Sequence, residues 1–435
     1  MEFQQYPSYK KFNDGVLNSL PQSWNNKPFW AVFKKSEITN KVNEQLLSVY
    51  LDRGVILYSD GGGLVHKPAE SLEKYQLVHV DDFVMNNQQA WRGSVGISPY
   101  QGIVSPAYLI FKPNKELNPQ FLKYQLRDKY FIDQFMISSL SVGTIQRQIK
   151  NHLLRAIQIP IPSQEEQQKI AAFLDTETTR IDNLISKQEK LIKLLEEQRK
   201  SIISHVVTKG LNPNVPMKDS GVDWLGDVPE HWKIGKIKRW FNTLSGGTPD
   251  SNNYVRYYKD GTHPWLRTTD LNNGVLTSFE IGITDEAIKE SSCKYVPENS
   301  VLIAMYGGDG TIGKNALLRF KSTINQALCA LIPNTHFNPE YTFFYIQFYR
   351  PYWMVNAMGG RKDPNINQQQ IQDAYFLQPP IAEQNKIVDF LKKEHSRIDI
   401  FVLKQNQLIE KLKEYRSSII SHAVTGKIDV REFSA

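Results

Sequence analysis

The sequence predicts an α+β protein in which two mixed α/β domains are separated by two long antiparallel coiled-coil helices, the halves forming a pseudo-twofold internal repeat. Three observations carry that prediction. A long segment rich in charged residues occurs twice, its apolar residues keep a spacing of alternating threes and fours, and a strand-rich segment precedes each copy.

Adding 217 to each residue number carries Glu166 to Thr208 onto Glu383 to Thr425 without a gap, and 24 of these 43 aligned positions are identical. The identities include the closing Ser-Ile-Ile-Ser-His at Ser201 to His205 and Ser418 to His422, and the register reaches upstream from Ile149, Leu154 and Pro162 to Ile366, Ile371 and Pro379. Neither copy contains Gly or Pro between Ser163 and Thr208 or between Ile381 and Thr425. Ser163 with Glu166 resembles a capping box at the start of the first helix, and Gly210 and Gly426 are the expected stops.

Within the first copy Ile181, Leu184, Gln188, Leu191, Leu195, Gln198, Ile202 and His205 form an a/d seam, with Ile398, Phe401, Gln405, Leu408, Leu412, Tyr415, Ile419 and His422 its counterpart in the second. A lone helix of this kind leaves its seam in water, so the copies are expected to pair. The pairing rests on Leu184, Leu191, Leu195, Ile202, Phe401, Leu408, Leu412 and Ile419. An antiparallel register placing Leu191 against Leu412 sets Gln198 opposite Gln405 and Gln188 opposite Tyr415.

Composition narrows the function classes. A hydrophobic fraction of 40% in 435 residues suffices for packed cores in two or three domains. The two cysteines, Cys293 and Cys329, form no CxxC pair, which argues against a disulfide framework or a Cys-type zinc site and for a reducing cytoplasm. The start MEFQQYPSYKKF has no apolar signal core, and no apolar run of about 18 residues occurs, so no membrane role is expected. The net charge of +7 is compatible with a polyanionic partner, and residues 1 to 150 hold 17 Lys and Arg against 13 Asp and Glu.

Taken in order, residues 1–155 read as a strand-rich domain with short runs FWAVFK, GVILYS, YQLVHV, DFVMNN and AYLIFKP, closed by a helical tail from Asn118-Pro119 to Met136. Residues 156–210 form the central helical spacer, and 211–232, rich in Gly, Pro and Asp, read as a linker. Residues 233–373 repeat the first plan with other sequence, and 374–435 hold the second helical spacer. Pro229-x-x-Trp232 echoes Pro21-x-x-Trp24, both tryptophans being expected as buried anchors. Gly93-Ser-Val-Gly96 maps onto Gly310-Thr-Ile-Gly313 at the same offset of 217, while Asn118-Pro119 maps onto Asn338-Pro339 at 220.

No catalytic constellation and no metal-ligand spacing is found among the nine histidines or elsewhere. Gly308 to Lys314 satisfies GxxxxGK, but Asn315 stands where a P-loop needs Ser or Thr, and ALLRF reads as a strand, so a tight turn is expected there. What remains is recognition chemistry. Gln88, Gln89, Trp91 and Arg92 cluster after DFVMNN, Thr144, Gln146 and Arg147 end the first domain, and Arg267, Thr268, Thr269, Asp270, Tyr306, Arg361 and Lys362 occupy loops of the second. Gln and Arg make paired hydrogen bonds to adenine and guanine edges, while Lys and Arg meet phosphates. Each such loop alone is more often a solvated turn; recurrence in both halves strengthens the reading as DNA contacts.

IPIPSQEEQQKIAAFLD followed by IDNLISKQEKLIKLLEEQRKSIISHVVTKG, the second copy IAEQNKIVDFL to SIISHAVTG, and QQAWRGSVGI at Gln88 to Ile97 resemble the DNA-specificity subunit of type I restriction-modification systems over nearly the whole chain. The resemblance implies two target-recognition domains, each reading one half of an asymmetric split site in double-stranded DNA. It implies a subunit without catalysis of its own, assembled with two modification subunits that methylate adenine and two restriction subunits. S-adenosylmethionine, ATP and Mg2+ would serve those partners, with no cofactor on this chain. The outward faces of residues 163–208 and 380–425 would carry the modification subunits. A helix from Thr178 to Thr208 would be roughly 46 Å long, enough for domains at its ends to face successive major grooves about 34–36 Å apart. Two other readings stay open: a tethering protein whose domains bind proteins, and a nucleotide-dependent enzyme using Gly308 to Lys314.

Overall fold

The computed structural model describes residues 4–51, 53–61, 67–142, 146–307, 310–357 and 365–433. The chain forms two compact units, Met1–Glu189 with Asn406–Ala435, and Lys190–Gln405.

In the first unit, four antiparallel strands run in the order Phe33–Ser36, Tyr108–Pro113, Phe83–Asn86, Val95–Ile97. Val84 and Ile110 face one apolar cluster with Leu47, Val49 and Val55, while Phe83, Met85 and Phe111 face another with Phe29, Phe121, Phe131 and Phe135. Burial on both faces explains why FVM is apolar without alternation. The expected strand FWAVFK is corrected in part. Phe29–Val32 is one helical turn, whose i, i+3, i+4 spacing sends Phe29, Val32 and Phe33 all into the core, and the strand begins at Phe33. The helical tail is two helices, Pro119–Gln125 and Lys129–Ile137, because Asn118 and Asp128 each accept a backbone N–H at a new start.

The second unit repeats the strand order as Thr243–Ser245, Leu328–Leu331, Val301–Ala304, Asn315–Leu318, and adds Val275–Leu276 in parallel at the edge. It also carries a second sheet, in the order Gly282–Ile283, His263–Leu266, Ser322–Ile324, Tyr295–Val296. Its terminal helix is a single one, Pro339–Ala357. Each unit is closed by one equivalent antiparallel pair, Gln158–Ile161 on Asn25–Pro28 and Tyr375–Gln378 on Lys233–Lys236. The stretch read as a linker is built into the second unit. Met217–Asp219 pairs with Asp227–Pro229 as Tyr9–Lys11 pairs with Ser19–Pro21, and Val222, Leu225 and Val228 are buried there. Its Gly, Pro and Asp residues make a compact hairpin rather than a flexible connection.

The long helices are Gln164–Lys209 and Ile381–Val424, and Gly210 and Gly426 end them with φ of 78° and 72°, the left-handed conformation that glycine adopts without a Cβ clash. Ser163 Oγ accepts the Glu166 N–H at 3.2 Å, but the Glu166 carboxylate does not return to complete a capping box. It accepts instead from Trp24 Nε1 at 2.9 Å and Tyr6 Oη at 2.6 Å. The repeat-equivalent Glu383 accepts from Trp232 Nε1 at 3.1 Å and lies 2.8 Å from His231 Nε2. Both tryptophans are fully buried.

Beside each glutamate a buried glutamine acts as a splint. Gln167 Oε1 accepts the Asn118 N–H and its Nε2 donates to the Pro162 carbonyl, as Gln384 does for Asn338 and Pro379.

The same tryptophans meet the opposite helix ends. A Cβ on Gly426 would lie 3.4 Å from Trp24, and one on Gly210 would lie 3.2 Å from Trp232. Within each unit, therefore, one long helix starts where the other stops, and the two segments run antiparallel. Arg416 pairs with Asp182 through bonds of 2.9 and 3.2 Å in the first unit; its equivalent Arg199 pairs with Asp399 at 2.5 Å in the second.

The covered stripe on the helices differs from the expected one. Ile398 and Ile419 are buried, but between them the covered positions are Val402, Gln405, Ile409, Leu412 and Arg416, whereas Phe401, Leu408 and Tyr415 are exposed. In the first helix Leu184, Ile185, Ile192, Leu195 and Ile202 are all half-buried and Leu191 is exposed, so both stripes are partly covered there. Apolar residues occupy both stripes, so the heptad spacing is compatible with either, and in the second helix neighbouring structure selects one.

Glu166→Ala removes the acceptor of two buried donors, and each unpaired buried group costs about 1–3 kcal/mol. Urea unfolding of this variant is expected to show a loss of roughly 2 kcal/mol or more. Glu383→Ala, which leaves one buried donor, the Trp232 indole, unpaired, should show a smaller loss of about 1 kcal/mol or more. Unchanged midpoints would sink the clamp.

Candidate nucleic-acid interface

In the first unit the chain leaves strand Phe83–Asn86 into a one-turn helix, Ala90–Arg92. Asn86 Oδ1 accepts the Gln88 N–H at 2.9 Å, an Asx turn, and Gly93 at φ 98° closes the turn. Trp91 donates its indole N–H to the Gln88 carbonyl at 3.0 Å, and the Arg92 guanidinium lies 5.8 Å from the Trp91 ring centroid. The turn thereby presents Gln88 and Arg92, both exposed, on one rigid platform, with Gln89 and Trp91 half-buried.

The hairpin of Ser139–Val142 and Gln146–Ile149 stands beside this turn, since Ile149 N donates to the Asn87 carbonyl. Two stretches far apart in sequence are thus brought together. Arg147, however, is engaged by its own hairpin: Nε donates to Ser139 Oγ at 2.8 Å, and Nη2 donates to the Ser139 and Met136 carbonyls. Gln146 begins its strand, and Thr144 lies outside the described residues.

In the second unit Thr268–Asp270 is a single 3-10 turn in which Asp270 accepts the Arg267 N–H at 2.7 Å and lies 3.5 Å from its guanidinium. Thr268 is buried, and its hydroxyl would be 3.0 Å from a Cβ on Gly307, so this turn backs the loop that carries the exposed Tyr306. Thr269 is exposed. Arg267 also lines a cavity of about 460 Å³ with Tyr254, Tyr258 and Trp265. Arg361 and Lys362 lie outside the described residues.

The GxxxxGK stretch gains no phosphate-site geometry. Ile303 pairs with Asn315 in an antiparallel hairpin, and Gly310 and Gly313 have φ of 72° and 66°, as a tight turn requires. No helix follows Lys314, so the N-terminal dipole a P-loop uses is missing. Gly308 and Asp309 lie outside the described residues. Burial pushes the Cys329 thiol up to about 12, which removes it as a nucleophile near neutral pH. Among the described residues no His, Cys, Asp and Glu side chains gather into a metal-binding group, and no helix is long and apolar enough to cross a membrane.

A duplicated scaffold with different surface turns is the architecture of a two-part reader. Residues 30–194 and 229–412 match the type I restriction modification DNA specificity domain, most of the chain, and the protein belongs to that family. It is 24% identical to a putative type I restriction enzyme MjaX specificity subunit of Methanocaldococcus jannaschii, over 98% of this chain and 99% of the relative. To the EcoKI specificity subunit of Escherichia coli K12 it is 22% identical, over 94% and 90% of the two chains. Among solved structures, a chain from a study of complex assembly and conformational transition of the type I R-M system superposes with a TM-score of 0.70 at 18% identity, covering 94% of this chain and 99% of that one. The HsdS subunit from Thermoanaerobacter tengcongensis superposes at 0.57 and 17% identity, covering 95% and 100%.

The arginines separate in a mutational comparison. Arg92→Ala is expected to leave the unfolding midpoint in place and to weaken duplex DNA binding. Arg147→Ala should lower stability by about 1–2 kcal/mol through the loss of its hydrogen bonds to Ser139 Oγ and the Ser139 carbonyl. Thermal unfolding and fluorescence anisotropy on both variants check this, and an unfolding loss confined to Arg92→Ala would reverse the assignment.

Proposed function

We propose that this chain is the DNA-reading and scaffold subunit of a type I restriction-modification complex. Each unit reads one half of an asymmetric split site in double-stranded DNA. The observation that carries the reading is the pairing of sameness with difference. The two units share strand order, closing strands and the Trp–Glu clamp, yet the sequences after equivalent strands differ, QQAWRG in one and MYGGDG in the other, and the second unit adds RTTD on its extra sheet. A framework held constant while its displayed loops vary is what two recognition events of different sequence require.

The long helices serve as the antiparallel coiled-coil spacer. Their exposed stripe, which includes Leu191, Phe401 and Leu408, is the docking surface for two modification subunits. Adenine methylation uses S-adenosylmethionine on those subunits; cleavage, with ATP and Mg2+, belongs to two restriction subunits. The chain contributes position rather than bond making, and its place of work is the cytoplasm, where the DNA is.

The direct test is co-expression with the neighbouring modification subunit, followed by mapping of methylated adenines across a plasmid at base resolution. One asymmetric split motif is expected. A stable complex that methylates nothing would favour the tethering role instead. Replacing residues 1–148 with those of another family member should change one half of the motif and leave the other; a change in both would refute modular reading. Leu195→Asp should abolish co-purification of the modification subunit, and undiminished assembly would count against the spacer.

A further inference from the structure

The platform of Trp91 and Arg92 has a second turn against it. Strands Leu47–Tyr50 and Gly54–Leu57 pair antiparallel, and the end of this hairpin is held beside the recognition turn by several contacts. Ser94 Oγ donates to the Val49 carbonyl at 3.0 Å, Arg127 Nη2 donates to the Leu51 carbonyl at 3.1 Å, and a Cβ on Gly96 would come within 3.3 Å of Gly54 Cα. A Cβ on Gly93, the residue after Arg92, would lie 3.9 Å from the Leu51 carbonyl oxygen. The two turns therefore form one continuous, rigid edge.

On that edge Arg53 repeats the arrangement of Arg92. Its guanidinium lies 4.5 Å from the Tyr50 ring centroid, it is exposed, and among the described residues it donates one hydrogen bond, to the Asp60 carbonyl at 3.2 Å. Among the described residues neither Arg53 nor Arg92 has a carboxylate partner. Other described arginines of the candidate loops and the helices are engaged by the fold itself. Arg147 is held by its hairpin, Arg267 by Asp270, Arg199 by Asp399 and Arg416 by Asp182. An arginine laid on an aromatic face has already lost much of its rotamer freedom, so it meets an anion at a smaller entropic cost than a free side chain. An exposed planar fork without a carboxylate partner among the described residues is suited to phosphate oxygens.

We propose that Arg53 is a positioning residue for DNA, contacting a backbone phosphate beside the base edges that Gln88 and Arg92 reach; the proposal rests on the DNA-reading role above. The contact carries charge and geometry but no base identity. It sets the register in which the neighbouring turn meets the bases. Leu51 to Gly54 looks like an ordinary hairpin turn in the sequence, and only the approach of Gly54 to Gly96 places it beside the recognition turn.

The test uses the full chain assembled with its modification subunits, the duplex defined by the methylation map, and a scrambled duplex of equal length. Dissociation constants are measured between 50 and 200 mM KCl for wild type, Arg53→Ala, Arg53→Lys and Gln88→Ala. Arg53→Ala is expected to weaken both duplexes by a similar factor, about 5- to 10-fold, and to lower the salt slope by about 1. Arg53→Lys should restore most of the slope, and Gln88→Ala should weaken the cognate duplex alone. Affinity and slope unchanged in Arg53→Ala would overturn the contact, as would a loss on the cognate duplex alone. A lowered unfolding midpoint with the slope intact would make Arg53 a structural residue and overturn it too. A wild-type complex with no salt-dependent duplex binding would instead overturn the DNA-reading role and the contact with it.

Discussion

Each unit depends on a buried indole N–H meeting a glutamate at the start of a long helix. The contact joins three things that are distant in sequence: the hairpin that opens the unit, the helix that leaves it, and the glycine that ends the returning helix. An indole and a carboxylate are both costly to bury alone, and burying them together is tolerable only when the hydrogen bond is made. That requirement makes the junction selective. A helix start displaced by one residue would leave Trp24 or Trp232 without an acceptor, so the clamp sets the direction in which each helix leaves its domain.

The glutamines at the next position extend this logic. Gln167 and Gln384 each bridge the helix start to the carbonyl before it and to the backbone of the terminal helical region of their domain. Fully buried amides of this kind are satisfied on both sides, which favours one arrangement over its neighbours. A scaffold fastened in this way can carry different surface turns without losing its form. The second unit shows how far this extends: it holds an added sheet and a parallel edge strand around the same four-stranded order.

On the recognition side, the conspicuous feature is which arginines are engaged and which are not. The Arg147 guanidinium donates to its own hairpin, and the Arg267 guanidinium lies 3.5 Å from the Asp270 carboxylate, so each is engaged by its own turn. Arg92 and Arg53 are exposed beside aromatic rings and, among the described residues, have no carboxylate partner. The difference is invisible in composition, because all four sit in short polar stretches of similar character. It follows from which carbonyls and carboxylates the tertiary structure brings within reach.

The sequence by itself determined the duplicated plan, the extent and ends of the two long helices, the burial of Trp24 and Trp232, and the strand rather than a helix after Lys314. These are legible because they follow from local rules: heptad spacing, the conformational freedom of glycine, and the residue types a motif must contain. Tertiary structure decided the rest. Val402 and Ile409 are covered while Phe401 and Leu408 are exposed, because both stripes are apolar and packing against the rest of each unit chooses between them. The stretch from Gly210 to Trp232 became a core-forming hairpin because Val222, Leu225 and Val228 found an apolar cluster to join. Glu166 left its capping box for Trp24 because a buried indole offers a carboxylate a bond that a solvated backbone N–H at a helix start does not need. In each case local sequence allowed two outcomes, and a contact from far along the chain selected one.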